Sequence, residues 1–247
     1  MEQLRELLQS TTNRLVAANI LVFVMIEALF AGARSGFELY FFQHPDFQVW
    51  QLFSYMFLHG SFMHLAFNMI ALWSFGRVLE RVWGGQRFLI FYLVCGVGAA
   101  IIHLLVAEYQ FQGLTEQILA AGFSELDVDN VVTLGRDISA GSALVSREML
   151  KELYDIYNLP AVGASGAVYG ILVAFALLFP DFKIMLIFLP VPIAARIFVP
   201  ILLLIDLSAG VTGVRIFGVG SNIAHFAHLG GALFGFLMVQ YWLRRAR

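Results

Sequence analysis

Charged side chains account for only 13% of these 247 residues, about half the share of a soluble domain. A chain so short of charge cannot cover a water-facing surface. With 60% hydrophobic residues and a mean hydropathy of +0.81, it reads as an integral, multi-pass membrane protein. Cysteine is scarcer still. Cys95 stands alone, which excludes an intrachain disulfide and a cysteine-built metal site and reads as a small core residue within an apolar run. Net charge is −2 and no basic patch is interleaved with aromatics, so nucleic acid is excluded as a partner.

What the chain does have is a succession of apolar runs near the length of a bilayer crossing. Six spans are expected, at about 15–33, 55–75, 88–107, 161–179, 197–207 (extending towards Val211) and 222–243. Glu27 interrupts the first and is read as a structural carboxylate facing the protein interior. Residues 1–14 mix Glu2, Arg5, Glu6 and Arg14 with Leu4, Leu7 and Leu8. They read as a short amphipathic cytoplasmic lead-in, and the run that follows is too long for a signal-peptide core.

Between the first two spans, 34–54 is crowded with aromatics, among them Phe41, Phe47 and Trp50, and reads as a loop embedded at the membrane interface. Residues 108–159 are the one long polar insert, with nine carboxylates against three bases. Leu114, Ile118 and Ala121 recur there at helical spacing, and Ser146 is placed to cap a helix over 147–157. The stretch 184–196, broken by Pro190 and Pro192, reads as re-entrant or interfacial. Residues 208–221 read as a Gly-rich loop and 244–247 as a basic tail.

Orientation follows from the Lys and Arg residues. With a cytoplasmic N-terminus, ten lie on the inner side and five on the outer, as the positive-inside rule requires. Both termini are then cytoplasmic and the acidic insert is outside. The second, fourth and sixth spans all run inward. Ser165 and His228 fall roughly 6–9 Å below the outer ends of their helices, with His64 at a similar depth and Asn68 about one turn lower.

That shared layer bears on chemistry. Ser165 lies in Gly163-Ala164-Ser165-Gly166-Ala167-Val168-Tyr169-Gly170. Small residues alone point to a helix-packing notch. A serine becomes a nucleophile when a base takes its proton, and His228 is the candidate base. Gly231-x-x-x-Gly235 follows it and would admit a neighbouring helix closely, delivering the histidine to the serine if that neighbour is the fourth span. His64 and Asn68, four apart on one helix face, can both donate to an oxyanion, as can the Ser165 backbone N–H. Tyr169 shares a face with Ser165 and can orient the imidazole. His225 is read as a structural polar group. Asp206 has no evident partner, so a Ser165–His228 dyad is the simpler arrangement. The other reading of the histidines is ligation of haem or metal by His59, His64, His103, His225 and His228.

Three stretches together resemble the rhomboid family of intramembrane serine proteases: 59–68 (HGSFMHLAFN), 163–170 (GASGAVYG) and 222–231 (NIAHFAHLGG). The resemblance implies an all-α, polytopic six-helix bundle with an embedded first outer loop. Its core would be 15–243, flanked by the 1–14 segment and the 244–247 tail. It implies an endopeptidase that cuts transmembrane helices of membrane-protein substrates near their outer ends through an acyl-enzyme. Ser165 is then the nucleophile and His228 the base. His64, Asn68 and the Ser165 N–H serve the oxyanion, and Gly163, Gly166, Tyr169, Gly231 and Gly235 support them. Glu80 takes a structural place after the second span, and Trp50-Gln51 stands where the family often carries Trp-Arg. The fifth span and 208–221 form the lateral gate and cap. No cofactor or metal is expected. The partners are substrate transmembrane segments and the lipid bilayer, in a bacterial inner membrane. A rhomboid-like pseudoprotease that binds such clients uncut is the alternative within the family.

Overall fold

The computed structural model describes residues 10–28, 31–186, 189–213 and 222–245. The lead-in before residue 10, the Glu27 side chain, the 214–221 part of the Gly-rich loop and the last two residues of the tail lie outside the described residues.

The protein is a helical bundle. Helix α1 spans Thr11–Ala28, α2 Phe62–Trp83, α3 Gly85–Ala120, α4 Glu125–Leu134, α5 Arg147–Asn158, α6 Ser165–Leu178, α7 Ala195–Thr212 and α8 Asn222–Arg245. Four of them, α2, α3, α7 and α8, are long and apolar enough to cross a membrane, and the shorter apolar helices α1 and α6 complete the bundle. Helix α8 packs chiefly on α3 and α6, and α1 packs on α2.

Local chemistry sets the boundaries and moves several from where hydropathy put them. The second span begins at Phe62, not near 55, because Ser61 caps it: its hydroxyl accepts from the His64 backbone N–H at 3.2 Å. Tyr55–Phe57 form a separate 3₁₀ turn. Tyr55 donates to the Gly96 carbonyl at 2.8 Å and accepts through its own carbonyl from Gly163 N–H at 2.9 Å. Those two bonds tie the 34–54 loop to α3 and to the entrance of α6. Leu39 and Ala161 exchange backbone hydrogen bonds in both directions. Gln51 is fully buried and donates to the Asp46 carbonyl at 2.8 Å, so glutamine closes this loop where an arginine was the family expectation.

Helix α3 runs 36 residues, about 54 Å at 1.5 Å per residue. That exceeds a hydrocarbon core of about 30 Å. The helical spacing seen from Leu114 to Ala121 is thus the far end of the third span and not a separate segment. Nothing breaks the helix before Gly122, and its polar side chains pair along the surface, as Gln112 does with Glu108.

The insert then folds back. Ser124 and Asp127 form a reciprocal capping box at the start of α4. Ser146 caps α5, accepting from Met149 N–H at 3.1 Å as its position suggested. Ile118, Val128, Val131, Leu150 and Leu153 make an apolar core that also takes in Phe41 of the first loop and Ile223 of α8.

One further expectation gains detail and another is corrected. In the stretch read as re-entrant or interfacial, β1 (Lys183–Leu186) pairs with β2 (Leu189–Ala194), antiparallel. Pro190 and Pro192 lack the N–H that a longer ladder needs, and α7 follows at once. The supposed loop at 208–212 continues α7 to Gly213, whose φ of +73° ends it.

Glu80, near the end of α2, reaches the first turn of α1. It accepts from Ser10 Oγ (2.7 Å), Thr11 N–H (2.6 Å), Thr12 N–H (3.0 Å) and Thr12 Oγ1 (2.7 Å). A carboxylate at a helix N-terminus satisfies donors that have no partner inside the helix.

Candidate active site

Ser165 is the first residue of α6. The chain reaches it through Gly163 at φ +125°, a region that side-chain-bearing residues avoid. A Cβ there would sit 2.7 Å from His64 Cε1 and 2.8 Å from Nε2. The bare backbone at Gly163 therefore both turns the chain into the helix and seats the His64 ring beside the serine's entry strand. Gly60 N–H donates to His64 Nδ1 at 3.4 Å.

Helices α6 and α8 touch backbone to backbone. A Cβ on Gly231 would fall on the Gly166 carbonyl, and one on Gly235 would lie 2.7 Å from Gly170 Cα. This approach brings His228 Nε2 to 2.9 Å from Ser165 Oγ. The His228 ring stacks on Tyr169, centroids 4.3 Å apart and planes 10° from parallel. So Ser165, His228, His64 and Tyr169 assemble at one place, from α2, α6 and α8, with Gly163 beside them and Gly166, Gly231 and Gly235 setting the approach of α6 and α8.

Asn68 is buried one turn below His64 and donates from its amide to the His64 carbonyl at 3.0 Å. An amide has a second N–H to offer. No hydrogen bond joins Asn68 and Ser165 among the described residues.

Asp206 is the residue that sequence reasoning missed. It was left unpaired, whereas the fold buries it to 4% exposure on α7. Its Oδ1 lies 2.5 Å from His225 Nδ1 and 3.2 Å from His228 Nδ1. His225 was expected to be structural, and it holds this carboxylate. No spacing rule links a residue on α7 to two on α8. The available signal was a lone acid in an apolar helix, which needs a partner. The serine, the imidazole and the carboxylate thus stand in line: hydroxyl on Nε2, carboxylate on Nδ1.

The rhomboid domain profile matches residues 46–126 and 132–245. The chain belongs to the rhomboid family. Among its relatives, this rhomboid is 27% identical to the mitochondrial presenilin-associated rhomboid-like protein of Homo sapiens, over 94% of its own length and 48% of the relative's. It is 28% identical to the mitochondrial rhomboid protein 1 of Saccharomyces cerevisiae, over 75% of its length and 39% of the relative's. With the rhomboid protease GluP of Bacillus subtilis it shares 39% identity across 69 residues, 28% of this chain and 14% of that one. The rhomboid chain therefore spans about half the length or less of the curated relatives it matches. It is an integral membrane protein with a rhomboid-type helical bundle.

Proposed function

We propose that this rhomboid is an intramembrane serine endopeptidase that cleaves transmembrane helices of membrane-protein substrates near their outer ends. The observation that carries the reading is the 2.9 Å contact between Ser165 Oγ and His228 Nε2. It is backed by the Asp206 carboxylate on His228 Nδ1 and the Tyr169 ring against the imidazole face.

The chemistry follows from those atoms. His228 Nε2 takes the hydroxyl proton as Ser165 Oγ bonds to the scissile carbonyl carbon. The carbonyl oxygen becomes an oxyanion, and His64, the Ser165 N–H and the second N–H of Asn68 are the donors for it. Collapse breaks the C–N bond, and the proton on Nε2 goes to the leaving amine. Water then attacks the acyl carbon, giving a proton to His228 Nε2; the C–Oγ bond breaks, Oγ takes that proton from Nε2, and the carboxylic-acid product leaves. Asp206 accepts from Nδ1–H throughout; before each attack this leaves Nε2 unprotonated, the tautomer a base requires, and afterwards it stabilises the imidazolium.

The six-span core at 15–243, with 108–159 outside and both termini cytoplasmic, belongs to the same proposal. The distribution of Lys and Arg supports it. A bacterial inner membrane is the proposed location. Cysteines introduced singly into α5 and at residue 84 of a Cys95→Ala protein should label from opposite sides of sealed cells or vesicles. Labelling from one side sinks the topology.

The test of function is covalent. A fluorophosphonate should label the purified protein and lose its target in Ser165→Ala, with cleavage of a reporter span lost in step. Undiminished cleavage by Ser165→Ala overturns the assignment.

A further inference from the structure

Three metal-binding atoms converge beside the Ser165–His228 contact. One ring nitrogen each of His225 and His228 and a carboxylate oxygen of Asp206 all lie within 4.8 Å of one another, and both Nδ1 atoms face Asp206 Oδ1. Tetrahedral zinc, with bonds of about 2.0–2.1 Å, holds its donors about 3.3 Å apart. The 3.2 Å between His228 Nδ1 and Asp206 Oδ1 already has that span. Asp206 Oδ2 is buried without a close hydrogen-bond partner among the described residues, and the Tyr169 hydroxyl interacts with the same carboxylate. Two imidazoles and one carboxylate, with a fourth position left for water, is a donor set for borderline cations such as Zn²⁺. Mg²⁺ and Ca²⁺ prefer oxygen ligands.

We propose that Asp206, His225 and His228 form an inhibitory site for a borderline divalent cation. Binding stands on the geometry alone, and inhibition rests on the protease reading above. The reason for inhibition is a proton position. In the working tautomer, Nδ1 of His228 carries hydrogen and Nε2 carries the lone pair. A cation on Nδ1 takes that nitrogen's lone pair, and the ring proton moves to Nε2. Nε2 then donates to Ser165 Oγ and cannot accept from it. Nothing is oxidised, and no proton leaves His228. The cation also takes Asp206 away from its orienting role. The expected loss is the rate that a general base supplies, about 10²–10⁴-fold.

Zn²⁺ is the probe. The full-length Ser165→Ala protein in detergent, stripped of metal, is titrated with Zn²⁺ against a chromophoric chelator, and one equivalent should bind. His225→Asn keeps an N–H donor for Asp206 and removes an imidazole ligand. It should weaken binding by about tenfold or more, as losing even a supporting partner of a metal ligand does. His225→Gln is the second variant should the first unfold. In protein with Ser165 intact, Zn²⁺ should suppress reporter cleavage with a midpoint matching the binding constant. Chelator should restore cleavage, Mg²⁺ should leave it unaffected, and the midpoint should move upward in His225→Asn. No stoichiometric binding, or binding indifferent to both His225 variants, overturns the proposal. Bound Zn²⁺ that leaves cleavage intact overturns the inhibitory role. Binding that depends on His225, in a protein that neither labels nor cleaves, overturns the protease reading and leaves the cation site standing.

Discussion

The backbone of Gly231 lies directly against the carbonyl of Gly166, closer than any side chain would permit. That contact sets how near α8 comes to α6, and so how near His228 comes to Ser165. Gly231→Ala should cost about 1–3 kcal/mol through overpacking and reduce fluorophosphonate labelling of the molecules that remain folded. Gly113, towards the C-terminal end of α3, has nothing within 4 Å of a notional Cβ. Gly113→Ala should instead stabilise by about 0.5–1 kcal/mol. Thermal unfolding in detergent, read beside labelling rate, checks both. Equal behaviour of the two variants would remove the packing argument.

Asp206→Asn tests the orienting carboxylate. The amide can present N–H to Nδ1 and so favour the wrong tautomer. Turnover should fall by about 10²-fold or more with KM little changed, and the labelling rate should fall in parallel. Wild-type turnover in a folded Asp206→Asn protein would return the mechanism to a two-residue Ser165–His228 unit.

Glu80→Ala removes four hydrogen bonds at the start of α1. With partly buried donors left behind, about 1–3 kcal/mol of stability should go, with turnover per folded molecule retained. Glu80→Gln should fall between the two, since it accepts but carries no charge for the helix terminus. A denaturation series with activity measured on the folded fraction decides it.

Acid should loosen α4 first. Hydrogen bonds from the backbone N–H and hydroxyl of Ser124 hold the Asp127 carboxyl below its ordinary value. A depressed carboxylate adds stability above its unfolded value, and that stability is lost as pH falls through the folded one. Amide exchange across 124–130 should therefore rise, relative to α5, as pH drops through the lower end of the aspartate range. Asp127→Asn should show that faster exchange already at neutral pH. An unchanged ratio between the two helices would contradict the capping-box account.

Much of the site was legible because its parts sit in short contiguous motifs. Gly163 through Gly170 and His228 through Gly235 each carry their own geometry, and one helix-packing rule joins them. His64 was legible from its spacing to Asn68. Asp206 was not, because α7 and α8 are brought together by apolar surfaces that leave no mark at residue 206 itself. Helix lengths failed for a related reason. Hydropathy reports where lipid would be tolerated, whereas Ser61, Gly122 and Gly213 decide where helices start and stop. The pairing of Lys183–Leu186 with Leu189–Ala194 was hidden because two prolines in an apolar stretch fit a broken helix as well as a strand.

The insert's core closes over Phe41 and Ile223, and Ile223 stands five residues ahead of His228 on the same helix. The acidic segment is thus the footing on which that end of α8 rests. A truncated protein lacking 108–159 would leave α8 with a bare apolar end one and a half turns from the imidazole. Lost cleavage in such a protein would register an unseated helix rather than the absence of a docking platform. Point changes on the solvent face of α4 and α5, which leave Val128, Val131, Leu150 and Leu153 in place, separate those two effects.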